Sequence, residues 1–501
     1  SAMTVWHNCA APSNPGCRRI GSNRVAAPNP ERIIRERMAA DGAPSLIVEA
    51  FLDNMRRWNA GDLGVIPGAT LGDLGPLTRF EDLDESDASA EEAIRHTVVI
   101  KLNGGLGTSM GLEQAKSLMV AKNGLSFLDI IVQQIDVLRT RCRAPLPLLL
   151  MNSFSTDADS LAAIEKHHPG FGNPGGLPLA FCQHRVPKLD IATRGPVRWA
   201  ENPALEWCPP GHADIYYALQ TTGLLKRLLA EGFRYAFVSN ADNLGALLHL
   251  GILGHIARRR TPFLMEVTAR TDSDRKGGHL ARSQKSGRLL LRESAQCPDD
   301  EADAFQDIRT YSLFNTNNLW LNLEALRDML EATNGLPQLP LIVNRKTVDP
   351  TRPDSPAVVQ LEAAMGSAIA CFEGADALVV PRFRFAPVKT TDDLLAIRSD
   401  LYRLGSEHQV TLDPQRVGPP PDIQLDPRFY KNITDFEQRF AKGAPSLLHC
   451  DSLRVDGDIH FGAGIRIEGD VHLSHPADTP THLADGLRLP IPVVQDTPHP
   501  G

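Results

Sequence analysis

A glycine-rich loop that follows an apolar stretch has the residue types needed to hold a polyphosphate. Residues 98–102 are strand-like, residues 104–111 contain four glycines, and Lys116 follows five positions after Gly111. Because glycine has no Cβ, backbone N–H groups in such a loop can approach phosphate oxygens closely. A helix beginning near Ala115 would add its N-terminal dipole, and Lys116 would add a full positive charge. The spacing therefore predicts a polyphosphate-binding loop.

Two common nucleotide-binding patterns fit this loop poorly. It lacks the third glycine of the dinucleotide-binding fingerprint, and Gly111 is not followed by the lysine of a Walker loop. A tight turn without a ligand is the remaining alternative.

Asp242 is a candidate metal ligand, because it stands where the strand-like segment 237–243 turns polar. A carboxylate at the carboxyl end of a strand is well placed for Mg²⁺. This ion takes one or two protein carboxylates and fills its other positions with phosphate and water oxygens. A carboxylate that caps a helix or a turn is the structural alternative.

Four further motifs combine polar side chains with glycine, proline or apolar neighbours. They are the Pro-Pro-Gly-His turn within 207–214, the Gly-Gly-His turn 277–279, the asparagine-rich segment 314–320, and Lys389 after a proline-bounded stretch. Buried amides need partners, so the asparagines must bond to the backbone or to a ligand. Taken singly, each motif also fits a structural role as a helix start, a hairpin, backbone-bonded amides or a surface ion pair.

The segments that must position these residues alternate between strand-like and helix-like patterns. The predicted strands are 97–102, 146–151, 235–239, 263–268 and 377–380, and the predicted helices include 127–139, 215–230 and 324–330. Such alternation is typical of a mainly parallel sheet with helices on both faces, in which ligands bind at the carboxyl ends of strands.

The chain of 501 residues exceeds what one compact core usually serves, and three regions are predicted. Residues 1–94 form a mostly helical region with a loosely ordered first thirty residues, and residues 95–404 form the main α/β domain. Residues 405–501 contain a proline-rich linker at 410–426, a repeat-like segment at 452–473 and an irregular tail from Ser474. The repeat-like segment predicts a β-helix or a small β-meander, docked on another domain or a second subunit.

Composition argues against several classes of protein. The net charge of −8 disfavours sequence-independent binding to nucleic acid. No apolar run approaches the ~18 residues that a transmembrane helix needs. The eight cysteines form no CxxC pair and are typical of reduced thiols. We therefore expect a cytoplasmic protein without nucleic-acid or membrane partners.

Taken together, the motifs resemble those of the UTP–glucose-1-phosphate uridylyltransferases of the eukaryotic type, or UDP-glucose pyrophosphorylases. The matching stretches occur in one order along the chain and are 101–111, 151–157, 209–214, 237–245, 314–320, 342–349 and 384–391. The resemblance implies an α/β fold. Its GT-A-like nucleotidyltransferase core would have a mixed, mostly parallel sheet, followed by a C-terminal left-handed β-helix segment.

The resemblance also implies roles for individual residues. Lys116 and Lys389 would be catalytic, the first on the triphosphate and the second on the sugar phosphate and the α-phosphate, and Asp242 would bind Mg²⁺. The implied substrate-binding residues are Leu102, Gly104, Gly105 and Gly107 in the loop over the nucleotide, Gln183 and Gly211 at the uracil edge, His212 near the phosphates, Asn240 beside the metal residue, and Gly278, Glu293 and Asn315 at the hexose.

The activity implied by the resemblance is Mg²⁺-dependent, reversible transfer of UMP from UTP to glucose 1-phosphate, which forms UDP-glucose and pyrophosphate. His279 departs from the small hydroxyl residue usual in the family, and this departure bears on sugar specificity. One alternative is a broader or different set of sugar 1-phosphates, including N-acetylglucosamine 1-phosphate. Another is a nucleotide-sugar-binding protein without turnover. The sequence leaves undecided whether the chain forms a homo-oligomer through its C-terminal segment, because family members differ in assembly.

Overall fold

The computed structural model describes residues 29–84, 88–271, 274–275, 277–476 and 479–490. Its α-helices are α1 Pro30–Ala40, α2 Ser45–Asn59, α3 Ala88–Ala93, α4 Phe127–Cys142, α5 Asp157–His167, α6 Asp214–Thr221, α7 Leu224–Ala230, α8 Leu250–Arg259, α9 Ala302–Gln306, α10 Leu323–Ala332, α11 Thr391–Arg398, α12 Pro427–Tyr430 and α13 Ile433–Arg439. The expectation of a loose N-terminal segment falls on residues 1–28, outside the described ranges.

The first twenty strands extend from the N-terminal region to the end of the central part of the chain. They are β1 Leu71–Gly72, β2 Thr78–Arg79, β3 Thr97–Asn103, β4 Val120–Lys122, β5 Leu125–Ser126, β6 Leu148–Asn152, β7 Ala180–Cys182, β8 Val186–Pro187, β9 Leu189–Asp190, β10 Trp207–Cys208, β11 Tyr235–Asn240, β12 Phe263–Ala269, β13 His279–Ser283, β14 Leu289–Arg292, β15 Leu313–Asn322, β16 Ile342–Thr347, β17 Ala357–Glu362, β18 Asp376–Val379, β19 Tyr402–Leu404 and β20 Val410–Leu412. The C-terminal strands are β21 Asp422–Leu425, β22 Ser446–Gly457, β23 Ile459–His460, β24 Arg466–His475, β25 Thr481–His482 and β26 Arg488–Leu489.

A mixed sheet forms the centre of the fold, in the order β2-β18-β12-β15-β11-β3-β6-β7. Neighbours in this order are parallel, except that β15 is antiparallel to both β11 and β12. The hairpin of β13 and β14 joins the sheet through a pairing of β13 with β15. The α/β class predicted from the sequence is confirmed, and β15 is the strand that makes the sheet mixed.

Both faces of the sheet are covered, so residues of its central strands are buried on both sides. In β3, Val99 packs into a core with Phe127 of α4, whereas Val98 packs on the opposite face. That opposite core contains Ile215 of α6 and Leu228 of α7. Alternate residues of one strand therefore serve two separate hydrophobic layers.

Two helix predictions were wrong in detail. The segment 215–230 is divided into α6 and α7, because Gly223 adopts a left-handed conformation with a φ of +73° and ends the first run. No α-helix begins near Ala115. Residues Lys116–Leu118 form one 3₁₀ turn that leads into β4, so this loop has no helix dipole behind it.

The C-terminal strands stack in parallel. The order β21-β22-β24-β26 is parallel at every step, and β23 pairs in parallel with β25. Parallel pairing excludes the β-meander alternative, whose strands would be antiparallel. The stack also extends beyond its predicted limits, because β21 lies inside the expected linker and β26 inside the expected irregular tail.

Apolar side chains of the C-terminal strands share one hydrophobic core with the α/β part of the chain. Leu453 and Ile467 belong to the same buried cluster as Leu394 of α11 and Phe127 of α4. Within the described ranges, no helix combines the length and the apolar character required to cross a membrane.

Candidate active site

The two polar strand ends singled out in the sequence lie side by side. Strands β3 and β11 are parallel, with Leu102 opposite Asn240, and the Ala241 backbone N–H donates to the Leu102 carbonyl at 3.0 Å. Beyond β3 the glycine loop folds back on itself, and the Lys116 backbone N–H donates to the Gly105 carbonyl at 3.1 Å. Parallel pairing therefore brings the loop and the Asp242 turn to one edge of the sheet.

Lys116 and Asp242 form an ion pair at this edge. The Lys116 Nζ lies 2.7 Å from the Asp242 Oδ2, and the side chains are 15% and 20% exposed. The other carboxylate oxygen, Oδ1, is buried and has no hydrogen-bond partner within the described residues. The candidate phosphate lysine and the candidate metal carboxylate therefore meet, and one carboxylate oxygen is left for a ligand.

The Gln183 side chain lies against the glycine loop at Gly104. A Cβ placed on Gly104 would lie 2.6 Å from the Gln183 Nε2, so a side chain at this position would displace the amide. The Asp214 carboxylate holds the next residue, because it accepts the backbone N–H of His184 at 2.6 Å and lies 2.9 Å from its Nδ1. Gln183 is thus tied to the segment that carries Gly211.

Gly211 and His212 are fixed against the turn after β17. Gly211 has a φ of +87°, and a Cβ there would overlap the Ala363 carbonyl oxygen. The His212 Nδ1 accepts the Met365 backbone N–H at 2.8 Å, and burial lowers the pKa of His212 to about 4. The imidazole is therefore neutral near pH 7, and its Nε2 carries the proton and serves as a hydrogen-bond donor.

Lys389 reaches the same edge through its backbone. The Val388 N–H donates to the Asp242 carbonyl at 3.1 Å, and Asn243 forms a bridge with Pro387. The Lys389 side chain is exposed, and its Nζ lies 5.8 Å from the centroid of the Phe385 ring. The second candidate lysine therefore stands one residue away from a direct contact with Asp242.

The candidate sugar residues are grouped at the start of the β13–β14 hairpin. A Cβ on Gly278 would overlap the Glu293 carboxylate, and the Asn315 N–H donates to the Gly278 carbonyl at 3.0 Å. Burial raises the pKa of Glu293, and the positive charge of Lys389 opposes this rise. Glu293 is thus a partly buried acceptor within the electrostatic reach of Lys389.

His279 lies on the other face of this hairpin. It pairs across the strands with Arg292, both side chains are fully buried, and the imidazole stacks on Tyr311 with centroids 3.9 Å apart. Successive residues of a strand face opposite sides, so His279 points away from Gly278 and Glu293. The departure at His279 is therefore a matter of core packing, and the expected direct effect on sugar recognition is not supported.

Contacts link these residues into an open circuit, with a gap between Lys389 and Glu293. One arm runs from Gln183 to Gly104, along the loop to Lys116 and Asp242, and through Val388 to Lys389. The other arm runs from Glu293 to Gly278 and Asn315, and by way of Gly366, Met365, His212 and Asp214 to His184, the neighbour of Gln183. Gly366 belongs to the circuit because a Cβ there would lie 2.9 Å from the Asn315 Nδ2. The structure therefore places the loop residues, Asn240, Asp242 and the two lysines at one edge of the sheet, and connects the candidate sugar residues to the segment of His212.

Sequence reasoning missed the residues that hold this circuit in place. Met365 contributes through its backbone N–H, which leaves no signature in residue type, and His184 binds Asp214 through both its backbone N–H and its imidazole. Glu266, Asn318 and Arg384 form a buried network behind the site. The one signal was the run of asparagines in 314–320, whose amides required partners.

Known proteins resemble this chain over most of its length. The family described as UTP–glucose-1-phosphate uridylyltransferase matches residues 73–468. The protein of that name from Solanum tuberosum is 41% identical over 413 residues, which are 82% of this chain and 83% of the relative. The one from Saccharomyces cerevisiae is 40% identical over 399 residues, or 79% and 75% of the two chains.

Solved structures agree with these relatives. A variant of UDP-glucose pyrophosphorylase from Leishmania major, in complex with UDP-glucose, superposes with a TM-score of 0.87 at 41% identity and covers 93% of this chain and 98% of its own. A UDP-glucose phosphorylase from Trypanosoma brucei has a TM-score of 0.85 at 41% identity, with coverage of 92% and 98%. This chain belongs to the UTP–glucose-1-phosphate uridylyltransferase family.

Proposed function

We propose that this protein transfers UMP from UTP to glucose 1-phosphate, forming UDP-glucose and pyrophosphate in a reversible reaction. The observation that supports the proposal is the ion pair of Lys116 with Asp242 beside the glycine loop, together with Lys389, which follows the residue whose N–H binds the Asp242 carbonyl. Family membership supports the same activity.

The reaction needs no protein nucleophile, because the attacking group is already ionised. A phosphate oxygen of glucose 1-phosphate attacks the α-phosphorus of UTP in line. The new P–O bond forms as the bond from the α-phosphorus to the bridging oxygen breaks, and pyrophosphate leaves with that electron pair. The task of the protein is to position the two substrates and to stabilise the charge that moves between them.

The two lysines offset the repulsion between the substrates. At 4 Å, two unit negative charges repel by roughly 4 kcal/mol at an effective dielectric constant near 20. Lys116 stands beside the glycine loop, where the triphosphate would lie. Lys389 follows Val388, whose N–H binds the Asp242 carbonyl, and its charge acts on Glu293; the sugar phosphate would approach the α-phosphorus beside this lysine. Each ammonium group would therefore act on one of the two anions.

Asp242 is the residue that would hold Mg²⁺. Its buried Oδ1 lacks a hydrogen-bond partner in the described part of the chain, and a carboxylate oxygen is the ligand type that this ion prefers. A single carboxylate suits Mg²⁺, whose other positions are commonly filled by phosphate and water. When bound, the ion would neutralise negative charge on the triphosphate.

The nucleotide half and the sugar half of the cleft have separate recognition groups. Gln183 and Gly211 would hold the uracil edge, since an amide and an open backbone suit a flat ring with donors and acceptors. The neutral His212 would donate from Nε2 to a phosphate oxygen. Glu293 and Asn315 would bind hexose hydroxyls, because both are polar groups packed against Gly278 at the start of the hairpin.

The central sheet would be a nucleotidyltransferase core of the GT-A type, and the parallel C-terminal strands would wind as a left-handed β-helix. Strand pairings such as Ser452 with Asp470 and Arg466 with Arg488 are the register steps of stacked coils. If these coils also join subunits, static light scattering of the full chain will give a mass above that of one chain. A mass equal to that of one chain would contradict the oligomer hypothesis.

A pyrophosphate-release assay with UTP and a panel of sugar 1-phosphates tests the activity. We expect the highest kcat/KM with glucose 1-phosphate, and loss of turnover when Mg²⁺ is chelated. A faster reaction with another sugar 1-phosphate would move the assignment to a broader pyrophosphorylase. Calorimetric binding of UDP-glucose without any pyrophosphate release would instead indicate a binding protein.

A further inference from the structure

A fully buried carboxylate behind the site gathers four hydrogen bonds. Glu266 lies in β12 and has no exposed surface. Its Oε1 accepts from the Trp320 Nε1 at 2.9 Å and from the Arg384 Nη2 at 2.7 Å. Its Oε2 accepts from the Asn318 Nδ2 at 3.1 Å and from the Arg384 Nε at 2.7 Å. Both oxygens are therefore satisfied by donors in fixed directions.

This group extends to the segment that carries the metal candidate. The Arg384 carbonyl accepts from the Asn243 Nδ2 at 3.2 Å, and the Asn243 Oδ1 accepts the Ala386 N–H at 3.0 Å. The Arg384 Nη2 also donates to the Leu247 carbonyl at 2.8 Å. The turn that follows Asp242 is thus joined to the segment 384–388 at Asn243 and at Leu247.

The same hydrogen-bond network extends to the residue before Lys389. Beyond Ala386, the Val388 N–H donates to the Asp242 carbonyl, and Lys389 follows directly. The two residues that would act on the phosphates therefore stand on segments tied to one buried ion pair. Neither Glu266 nor Arg384 needs to touch a substrate to influence both of them.

A stabilising role alone explains this arrangement poorly. Replacing a buried ion pair with apolar side chains of similar volume is often neutral or stabilising, so stability gives little reason for such a pair. A bidentate Arg–Glu pair does fix direction, because the planar guanidinium aligns with both carboxylate oxygens.

We propose that Glu266, Arg384 and Asn318 form a positioning core that sets the distance between Asp242 and Lys389 for the transfer reaction. This inference rests on the proposed function, because it assigns the core to that reaction. The three residues are positioning residues, since they act through Asp242 and Lys389.

Arg384→Lys tests the proposal, because it keeps the charge and removes the bidentate geometry. We expect kcat to fall on the order of 100-fold, as for a misplacement of about 1 Å at a reacting centre. We also expect the Mg²⁺ concentration for half-maximal rate to rise. The matched control is Arg37→Lys, because Arg37 and Glu206 form another buried pair, 9% and 6% exposed, outside the cleft. This control should lower Tm to a similar extent and leave kcat close to the wild-type value.

A double variant separates positioning from general damage. In a Lys389→Ala background at saturating Mg²⁺, Arg384→Lys should cause little additional loss of kcat, because the lysine whose distance from Asp242 it sets is absent. A purely structural defect would multiply the two losses. If Arg384→Lys does not fold, Asn318→Ala takes its place, since it removes one donor to Glu266 and leaves the ion pair intact.

The outcomes separate the two proposals. Equal kcat values for Arg384→Lys, Asn318→Ala and Arg37→Lys, or fully multiplicative losses in the double variant, would overturn the positioning core. A wild-type protein that forms no UDP-glucose would overturn the proposed function instead.

Discussion

The two halves of the proposed cleft are lined by different chemical groups. The nucleotide half is formed largely by glycines and backbone: Gly104 leaves room for Gln183, and Gly211 packs on the Ala363 carbonyl. The sugar half contains a partly buried carboxylate, Glu293, and desolvation raises its pKa. Changes in the first half should therefore act through shape, whereas changes in the second should act through charge and hydrogen bonding.

Removal of the ammonium group on the sugar half should have the largest effect. We expect Lys389→Ala to lower kcat by about 10²- to 10³-fold, the range found when one group that stabilises transition-state charge is removed. The measurement is pyrophosphate release at saturating UTP. The control is Lys442→Ala, which breaks an exposed ion pair with Asp485. A Lys389→Ala protein with a rate near that of the wild type would remove this lysine from the mechanism.

A methyl group on the sugar half should affect the kinetics of glucose 1-phosphate more than those of UTP. In Gly278→Ala the new Cβ would overlap the Glu293 carboxylate and displace it. We expect kcat/KM for glucose 1-phosphate to fall by about 10- to 100-fold, with a smaller change in the KM for UTP. Gly172→Ala is the matched control, since a Cβ there meets no atom within 4 Å. Equal losses for both substrates would contradict the division of the cleft.

A methyl group on the nucleotide half should report on the nucleotide alone. A Cβ on Gly105 meets no protein atom within 4 Å, so a weaker affinity of Gly105→Ala for UTP must come from a clash with the ligand. We expect about a tenfold increase in Kd by calorimetry, equivalent to about 1.4 kcal/mol. Gly107→Val is a poorer test, because Gly107 has a φ of +65° and valine would strain the backbone. An unchanged UTP affinity in Gly105→Ala would count against the loop.

The smallest expected effect concerns Lys101. This residue lies in β3, the strand that leads into the loop, and its side chain is buried. Its Nζ donates to the Ser239 Oγ at 2.7 Å and to the Ala246 carbonyl at 2.9 Å, and burial lowers its pKa to about 7. The unfolded chain, in which the lysine pKa is about 10.4, binds more protons between pH 7 and pH 10. Stability from this residue should therefore rise with pH across that window.

Thermal unfolding of Lys101→Met provides the comparison. We expect the wild-type Tm to gain a few degrees relative to this variant between about pH 7 and pH 9.5. Parallel Tm curves for the two proteins would show that Lys101 does not titrate in this range.

Much of the nucleotide half could be predicted from the sequence, because its signals are local. Glycines clustered after an apolar run define the loop, and parallel pairing of β3 with β11 brings Asp242 beside Lys116. The sequence also predicted strands for most of the central sheet. In each case the residue type and its position relative to a strand end were sufficient.

The residues of the sugar half contact partners that are distant in sequence. Fewer of these contacts could therefore be predicted. Strand β15 was missed, because Asn315, Asn317 and Asn318 interrupt the apolar alternation that marks a strand. Asn318 is buried all the same, since Glu266 supplies its partner 52 positions away. His279 was misjudged for the same reason: its side chain faces Tyr311, which follows it by 32 residues.

A crystal structure of this chain grown with UDP-glucose and Mn²⁺ tests the shared cleft most directly, because the anomalous signal of Mn²⁺ marks the metal position. We predict that the diphosphate lies between Lys116 and Lys389, that Mn²⁺ lies on the Asp242 Oδ1, and that the uracil lies against Gln183 and Gly211. A diphosphate bound out of reach of the two ammonium groups, or a metal away from Asp242, would contradict it.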